Sequence, residues 1–371
     1  TSYIAQVTVG TQTVPLLVDT GSSDLWVAPS SFQCLDESGK ATNQSACDFP
    51  AFYEGSFSGG VVPDEYFSII YGNGQYLYGP YGLESVSFGG VTVHNQQIAL
   101  PSEGYFHAST GDFAGLLGLA YPAMVPARKG QAPKPALNNS DEFGEHDTWF
   151  FNAVRQNLTE PIFSMALDVD GDGLLGIGEI VDVPLVGNFT STPILVVNAN
   201  DVQTNLVNET RAATNFTYYT IIADDYIIDG KPFSKLSEEN NDIPASQGFP
   251  VVVDSGWSAN VLPPSLVTHF YDTFADPPKL VDIGGGNTMF TAPCDATVPE
   301  FGVQIGTEVF TMARETILVS RLNTTLNGTM VCGLGIQPGV EFAGVLGDTF
   351  LSNVVAVFDV GASEMRFGQR V

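Results

Sequence analysis

The chain has 371 residues, 44% of them apolar and 15% charged, with 39 glycines and 23 prolines. That composition excludes a disordered chain and fits a β-rich, turn-rich protein long enough for two domains with separate cores. Forty-one acidic residues against 13 basic ones give a formal net charge of -28, which excludes nucleic acid and anionic membranes as partners, since both are held through Lys and Arg.

Such a surface repels itself at neutral pH and is relieved by protonation, which fits work in acid; the same acidity would also keep a secreted protein soluble. No apolar run reaches the roughly 18 residues that a membrane span needs.

Taken in order, the chain opens on a strand-like segment, residues 3–9, with no charged or apolar leader before it. A signal or pro-segment is therefore expected to have been removed or never present. Leu16-Leu17-Val18-Asp19-Thr20-Gly21 follows, an apolar β-type run that carries a carboxylate into a tight turn. Short β-branched runs at residues 7–9, 85–88, 194–197, 218–222 and 354–358 predict strands. Helices are predicted at 148–156, with Phe150, Phe151 and Val154 on one face, and at 264–274. Residues 123–147 and 198–215 read as surface insertions. The expected division is into lobes 1–175 and 176–371.

Two elements occur twice. The Asp19 turn recurs as Val251-Val252-Val253-Asp254-Ser255-Gly256, and Phe113-Ala114-Gly115-Leu116-Leu117-Gly118 recurs as Phe342-Ala343-Gly344-Val345-Leu346-Gly347. Duplication at this long period points to two homologous lobes rather than a solenoid. The four cysteines fall two per half, so one disulfide in each, Cys34–Cys47 and Cys294–Cys332, is expected, although four cysteines allow three connectivities. Glycosylation sequons at Asn43, Asn138, Asn157, Asn188, Asn208, Asn215, Asn323 and Asn327 point with the cysteines to the secretory pathway.

The chain resembles the pepsin-like aspartic proteases over nearly its whole length. The resemblance rests on residues 19–27 (DTGSSDLWV), Tyr71-Gly72-Asn73-Gly74, residues 115–122 (GLLGLAYP), Asp254-Ser255-Gly256 and residues 345–350 (VLGDTF). It implies an all-β, bilobal fold flanking a cleft, with a β-hairpin flap, a few short helices, and Asp19 and Asp254 as the catalytic pair. Thr20, Ser22 and Ser255 would support the pair. Tyr71 and Gly72 would belong to the flap, with Trp26 buttressing Tyr71. Leu17, Gly21, Phe113, Leu116, Gly256, Trp257, Ser258 and Val345 would meet substrate. The implied activity is endopeptidase cleavage at acid pH, preferring large apolar side chains, by a monomer acting on polypeptides and blocked by statine-type inhibitors. No cofactor or metal is expected, and the location is extracellular or vacuolar/lysosomal. Four tyrosines between residues 71 and 81 would alter the cleft rim.

Two features depart from the family pattern. Trp257 stands where the family usually has Thr or Ser, which opens the alternative of a non-catalytic inhibitor or binding protein should Trp257 impair the pair. Only 18 residues precede Asp19, so part of the usual first strand of the sheet between the lobes is expected to be missing or cleaved. Residues 168–173 with Glu179 satisfy an EF-hand calcium pattern, but strand-like flanks favour a solvated acidic turn. His94, His107, His146 and His269 are scattered and form no metal motif, and no G-x-S-x-G elbow is present.

Overall fold

The computed structural model describes residues 2–72, 74–108, 112–130, 143–169, 172–197, 216–234, 248–284, 287–326, 329–339 and 344–371. It is mostly β-structure, and its contacts group into two compact units, Ser2–Pro161 and Ile162–Val371. The strand Ile162–Leu167 pairs antiparallel with Val354–Asp359, which ties it to the second unit.

In the first unit, the strand Gln12–Asp19 pairs antiparallel with Ile4–Val9 and parallel with Gly115–Gly118. Gly115–Gly118 then pairs antiparallel with Leu25–Val27, the strand that leaves the Asp19 turn. Beyond it lie Val91–Ala99, Tyr76–Phe88 and Val61–Ile70. Alternating burial along Gln12–Asp19 sends Val14, Leu16 and Val18 inward. The core beneath the sheet gathers Trp26, Phe32, Phe67, Leu77, Tyr81, Phe106, Phe113 and Leu116. Helix Trp149–Arg155 buries Trp149 and Phe150.

The second unit repeats this arrangement. Phe249–Val253 runs parallel to Gly344–Leu346, and Asn260–Leu262, which leaves the Asp254 turn, meets Gly344–Leu346 antiparallel at Val261 and Val345. Its core is stapled by Phe163 stacked on Phe358, with Tyr219 edge-on to both. Helix Pro264–Asp272 buries Leu266, Val267, Phe270 and Tyr271.

The glycine that ends each apolar-apolar-Gly element has a steric cause. A Cβ on Gly118 would run into the Ser22 to Asp24 backbone, and one on Gly347 into the Trp257 and Ala259 carbonyls. Both Asp turns pack backbone to backbone against these strands, and no larger residue would let them approach.

Disulfides join Cys34 to Cys47 and Cys294 to Cys332, one in each unit. Residues 194–197, expected as a strand, are not one; the strand there is Leu185–Pro193, closed by Pro193. The polar insertion 198–215 and residues 131–142 of the stretch 123–147 lie outside the described residues, as do Asn138, Asn208, Asn215 and Asn327. Asn43, Asn157 and Asn188 are exposed, and Asn323 falls within the strand Leu318–Leu326.

Candidate active site

Asp19 ends its strand 6% exposed, and the turn after it folds back onto its carboxylate. The Gly21 N–H donates to Oδ1 at 2.7 Å and the Ser22 hydroxyl donates to Oδ2 at 2.6 Å. Both bonds favour the ionised form. The turn is clamped from the neighbouring strand by Gly118 N–H to the Asp24 carbonyl, Leu119 N–H to the Asp19 carbonyl and Ala120 N–H to the Ser22 carbonyl, at 2.8 to 2.9 Å. Ser23 adds a hydroxyl bond to the Tyr121 carbonyl at 2.7 Å. Thr20 is fully buried.

Tyr71 closes the strand Val61–Ile70 and opens a hairpin whose turn contains Gly74 at φ +82°. Gly72 beside it is exposed. The Trp26 indole N–H donates to the Tyr71 hydroxyl at 2.8 Å. Burial, reinforced by the charges of Asp19 and Asp24, pushes the Tyr71 phenol far above its ordinary range, so it stays protonated at any pH at which the protein folds. Leu17 and Tyr71 pack partly buried on the cluster that holds Phe113 and Leu116, and this forms an apolar floor under the hairpin.

The aromatic excess of the hairpin is spent on packing rather than on a rim. Tyr76, Tyr78 and Tyr81 are 8%, 7% and 0% exposed. This corrects the expectation of an altered rim: Tyr76 and Tyr78 share one face of the strand and Tyr81 lies on the other, and this end of the strand is covered on both faces.

Asp254 follows its strand in the same way. The Gly256 N–H donates to Oδ1 at 2.8 Å, the Asp254 N–H donates to the Leu346 carbonyl at 3.0 Å, and Ser255 is buried. At the offset that Ser22 holds from Asp19, this turn carries Trp257, whose side chain is 40% exposed while its carbonyl accepts the Asp348 N–H at 2.8 Å. Gly256 and Ser258 are exposed, the Thr349 hydroxyl reaches the Ser258 carbonyl, and Val345 is half-buried on the adjoining strand.

Sequence reasoning missed two polar supports. Asn260 is fully buried, accepts the Gly347 N–H at 3.0 Å and sends its own amide to Met312. Asp24 is buried between Tyr81 and His146. Asn260 lies in no quoted motif, and Asp24, although inside the run 19–27, shows no role there because its partners Tyr81 and His146 are distant in the chain.

Among the described residues, no group of three or more His, Cys, Asp and Glu is placed to hold a metal ion, and no helix is long and apolar enough to cross a membrane. Asp170 and Gly171 of the calcium-like turn lie outside the described residues.

Comparison with known proteins agrees with this geometry. The model of the eukaryotic aspartyl protease family matches residues 2–370. A probable aspartic-type endopeptidase of Aspergillus fumigatus is 32% identical over 98% of this chain and 78% of its own length. Aspergillopepsin-1 of Aspergillus oryzae is 27% identical over 98% of this chain and 78% of its own, and penicillopepsin-1 of Penicillium janthinellum is 24% identical over 98% and 94%. With a match from end to end and both Asp turns built alike, the chain belongs to the eukaryotic aspartyl protease family.

Proposed function

We propose that Asp19 and Asp254 act as one proton-sharing pair that hydrolyses peptide bonds in acid. The observation that carries this reading is the repeated turn: each aspartate leaves an apolar strand and receives a backbone N–H two residues on at Oδ1, at 2.7 and 2.8 Å. Endopeptidase activity of the aspartic type is what the family does, and the residue roles are this reading's own.

The chemistry needs a base for water and an acid for the departing amide. Two neighbouring carboxylates cannot both ionise easily, so, as in aspartic proteases generally, one proton serves the pair. The ionised carboxylate takes a proton from water, and the protonated one donates to the scissile carbonyl. Attack gives a tetrahedral diol; proton transfer to nitrogen then lets the C–N bond break. The proton belongs to the pair rather than to either residue.

Thr20, Ser22 and Ser255 support the turns, and Tyr71, Gly72 and Trp26 form the closing hairpin and its anchor. Leu17, Gly21, Phe113, Leu116, Gly256, Trp257, Ser258 and Val345 meet the substrate, and the apolar floor built on Phe113 and Leu116 favours large apolar side chains. A statine-type inhibitor, whose hydroxyl mimics the diol, should block the enzyme. A monomer working outside the cell or in an acidic vacuole or lysosome fits the disulfide in each unit and the acidic surface. The test is digestion of denatured haemoglobin or casein at about pH 3 to 4, with and without the inhibitor. Clean protein that cleaves neither substrate, nor longer peptides, would favour a non-catalytic binding protein.

A further inference from the structure

The first unit buries a carboxylate, an imidazole and a phenol together, and the reaction above uses none of them. Asp24 is 2% exposed, Tyr81 is fully buried and the His146 side chain is 9% exposed. His146 Nε2 lies 3.2 Å from Asp24 Oδ1, and the Tyr81 hydroxyl donates to Asp24 Oδ2 at 3.0 Å. The Tyr81 and His146 rings meet edge to face at 5.1 Å. Burial, then the Asp24 charge, holds the Tyr81 phenol well above its ordinary range, so it remains a donor.

The position of Asp24 in the chain gives the cluster its meaning. Two residues before it, Ser22 holds the Asp19 carboxylate; two residues after it, Trp26 holds the Tyr71 hydroxyl. The Asp24 carbonyl receives the Gly118 N–H, and Gly118 lies opposite Asp19 in the parallel ladder. A shift of Asp24 would therefore reach both the Asp19 turn and the hairpin tyrosine. His146 reaches Asp24 from 122 residues away, so it braces the turn from outside its own sheet.

We propose that His146 is a positioning residue for the Asp19 turn, donating from Nε2 to Asp24 Oδ1 and so fixing the stretch from Ser22 to Trp26. This rests on the reading of Asp19 as catalytic. A buried carboxylate that loses one of its donors is left partly unsatisfied, which is costly, and the chain that carries it shifts to recover a partner. With Tyr81 on Oδ2 and His146 on Oδ1, Asp24 is held from two sides.

The other charges around the cluster are accounted for. Glu65 packs against Gly144 and accepts the Gln97 amide at 2.8 Å. Asp147 pairs with Arg155 at 2.6 Å, Arg128 lies 3.5 Å over the Phe143 ring, Lys129 stands opposite Glu65 in the strand register, and Glu145 is exposed. Tyr71 faces Asp24 from the hairpin and stays protonated.

The test compares the mature protein with His146→Leu, His146→Gln, Asp24→Asn and the double variant of His146→Leu with Asp24→Asn, measuring kcat and KM on a peptide substrate and Tm. His146→Leu should lower kcat about tenfold at pH 3.5 while changing KM less than about twofold, because geometry rather than binding is lost, and His146→Gln, whose amide N–H can replace the ring donor, should recover most of that loss. The Tm of His146→Leu should fall by roughly 5 to 10 °C. In the Asp24→Asn background the substitution should have no further effect. Unchanged kcat, no rescue by His146→Gln, or full additivity would overturn the proposal. Should His146→Leu not fold, His146→Gln and Asp24→Asn carry the test: the first must stay closer to the wild type than the second in kcat and Tm, and the reverse order overturns the idea. An inactive wild type would refute the catalytic reading of Asp19, while the Tm comparison would still decide whether the His146 and Asp24 pair holds the turn.

Discussion

Trp26 and Tyr71 are joined by a 2.8 Å hydrogen bond from indole N–H to phenol oxygen, which ties the strand leaving the Asp19 turn to the hairpin over it. Phe106 lies edge-on to both rings, at 5.1 Å from Trp26 and 5.8 Å from Tyr71, so packing and the polar bond act on the same tyrosine. Trp26→Phe keeps most of the packing and removes the donor. Steady-state kinetics should show kcat/KM lowered about tenfold, the scale of one lost hydrogen bond, with little change in Tm.

Ser22→Ala removes the hydroxyl that donates to Asp19 Oδ2. That bond favours the charged carboxylate, so losing it favours the protonated form, and the acid limb of the kcat/KM profile should move to higher pH by about half a unit to one unit. Activity across pH 2 to 6 reads the shift directly; an unmoved limb would mean that the serine only shapes the turn.

Trp257→Thr restores a hydroxyl at the offset that Ser22 occupies in the first turn. By the same sign argument, the acid limb should move to lower pH, by about half a unit. The 40% exposed indole is lost in the same change, so KM for substrates with aromatic side chains should rise a few-fold relative to aliphatic ones. A panel of peptides differing in one side chain separates the two effects.

Glu84 should make stability depend on pH away from the reacting residues. It is 4% exposed; burial pushes its carboxyl up, but the Ser58 hydroxyl at 2.6 Å and the Ser85 and Ser58 N–H groups outweigh that and hold it below its ordinary 4.5. Because the folded-state value is depressed, the stabilisation is present above about pH 4.5 and is lost as the pH falls through the folded value. Glu84→Gln should cost about 1 to 3 kcal/mol at pH 6 in denaturant unfolding, with the gap narrowing below about pH 4.

The parts of this molecule legible in the sequence are those coded by neighbouring residues. Both Asp turns, the two glycine-ended strands and the helices at Trp149–Arg155 and Pro264–Asp272 follow from local pattern. Burial of three hairpin tyrosines was not legible, since alternation alone does not show that both faces of a strand are covered. Nor was the brace from His146 to Asp24, whose partners are 122 residues apart. The run 194–197 misled because β-branched residues satisfy strand propensity without supplying a partner strand.

Turnover by the two aspartate variants tests the central claim most directly. Hydrolysis of denatured haemoglobin should be measured at about pH 3.5 for the wild type, Asp19→Asn and Asp254→Asn, each first shown to be folded. The proton-sharing account predicts an active wild type and a loss of more than about a thousandfold in both variants. Near wild-type turnover by either variant would contradict it.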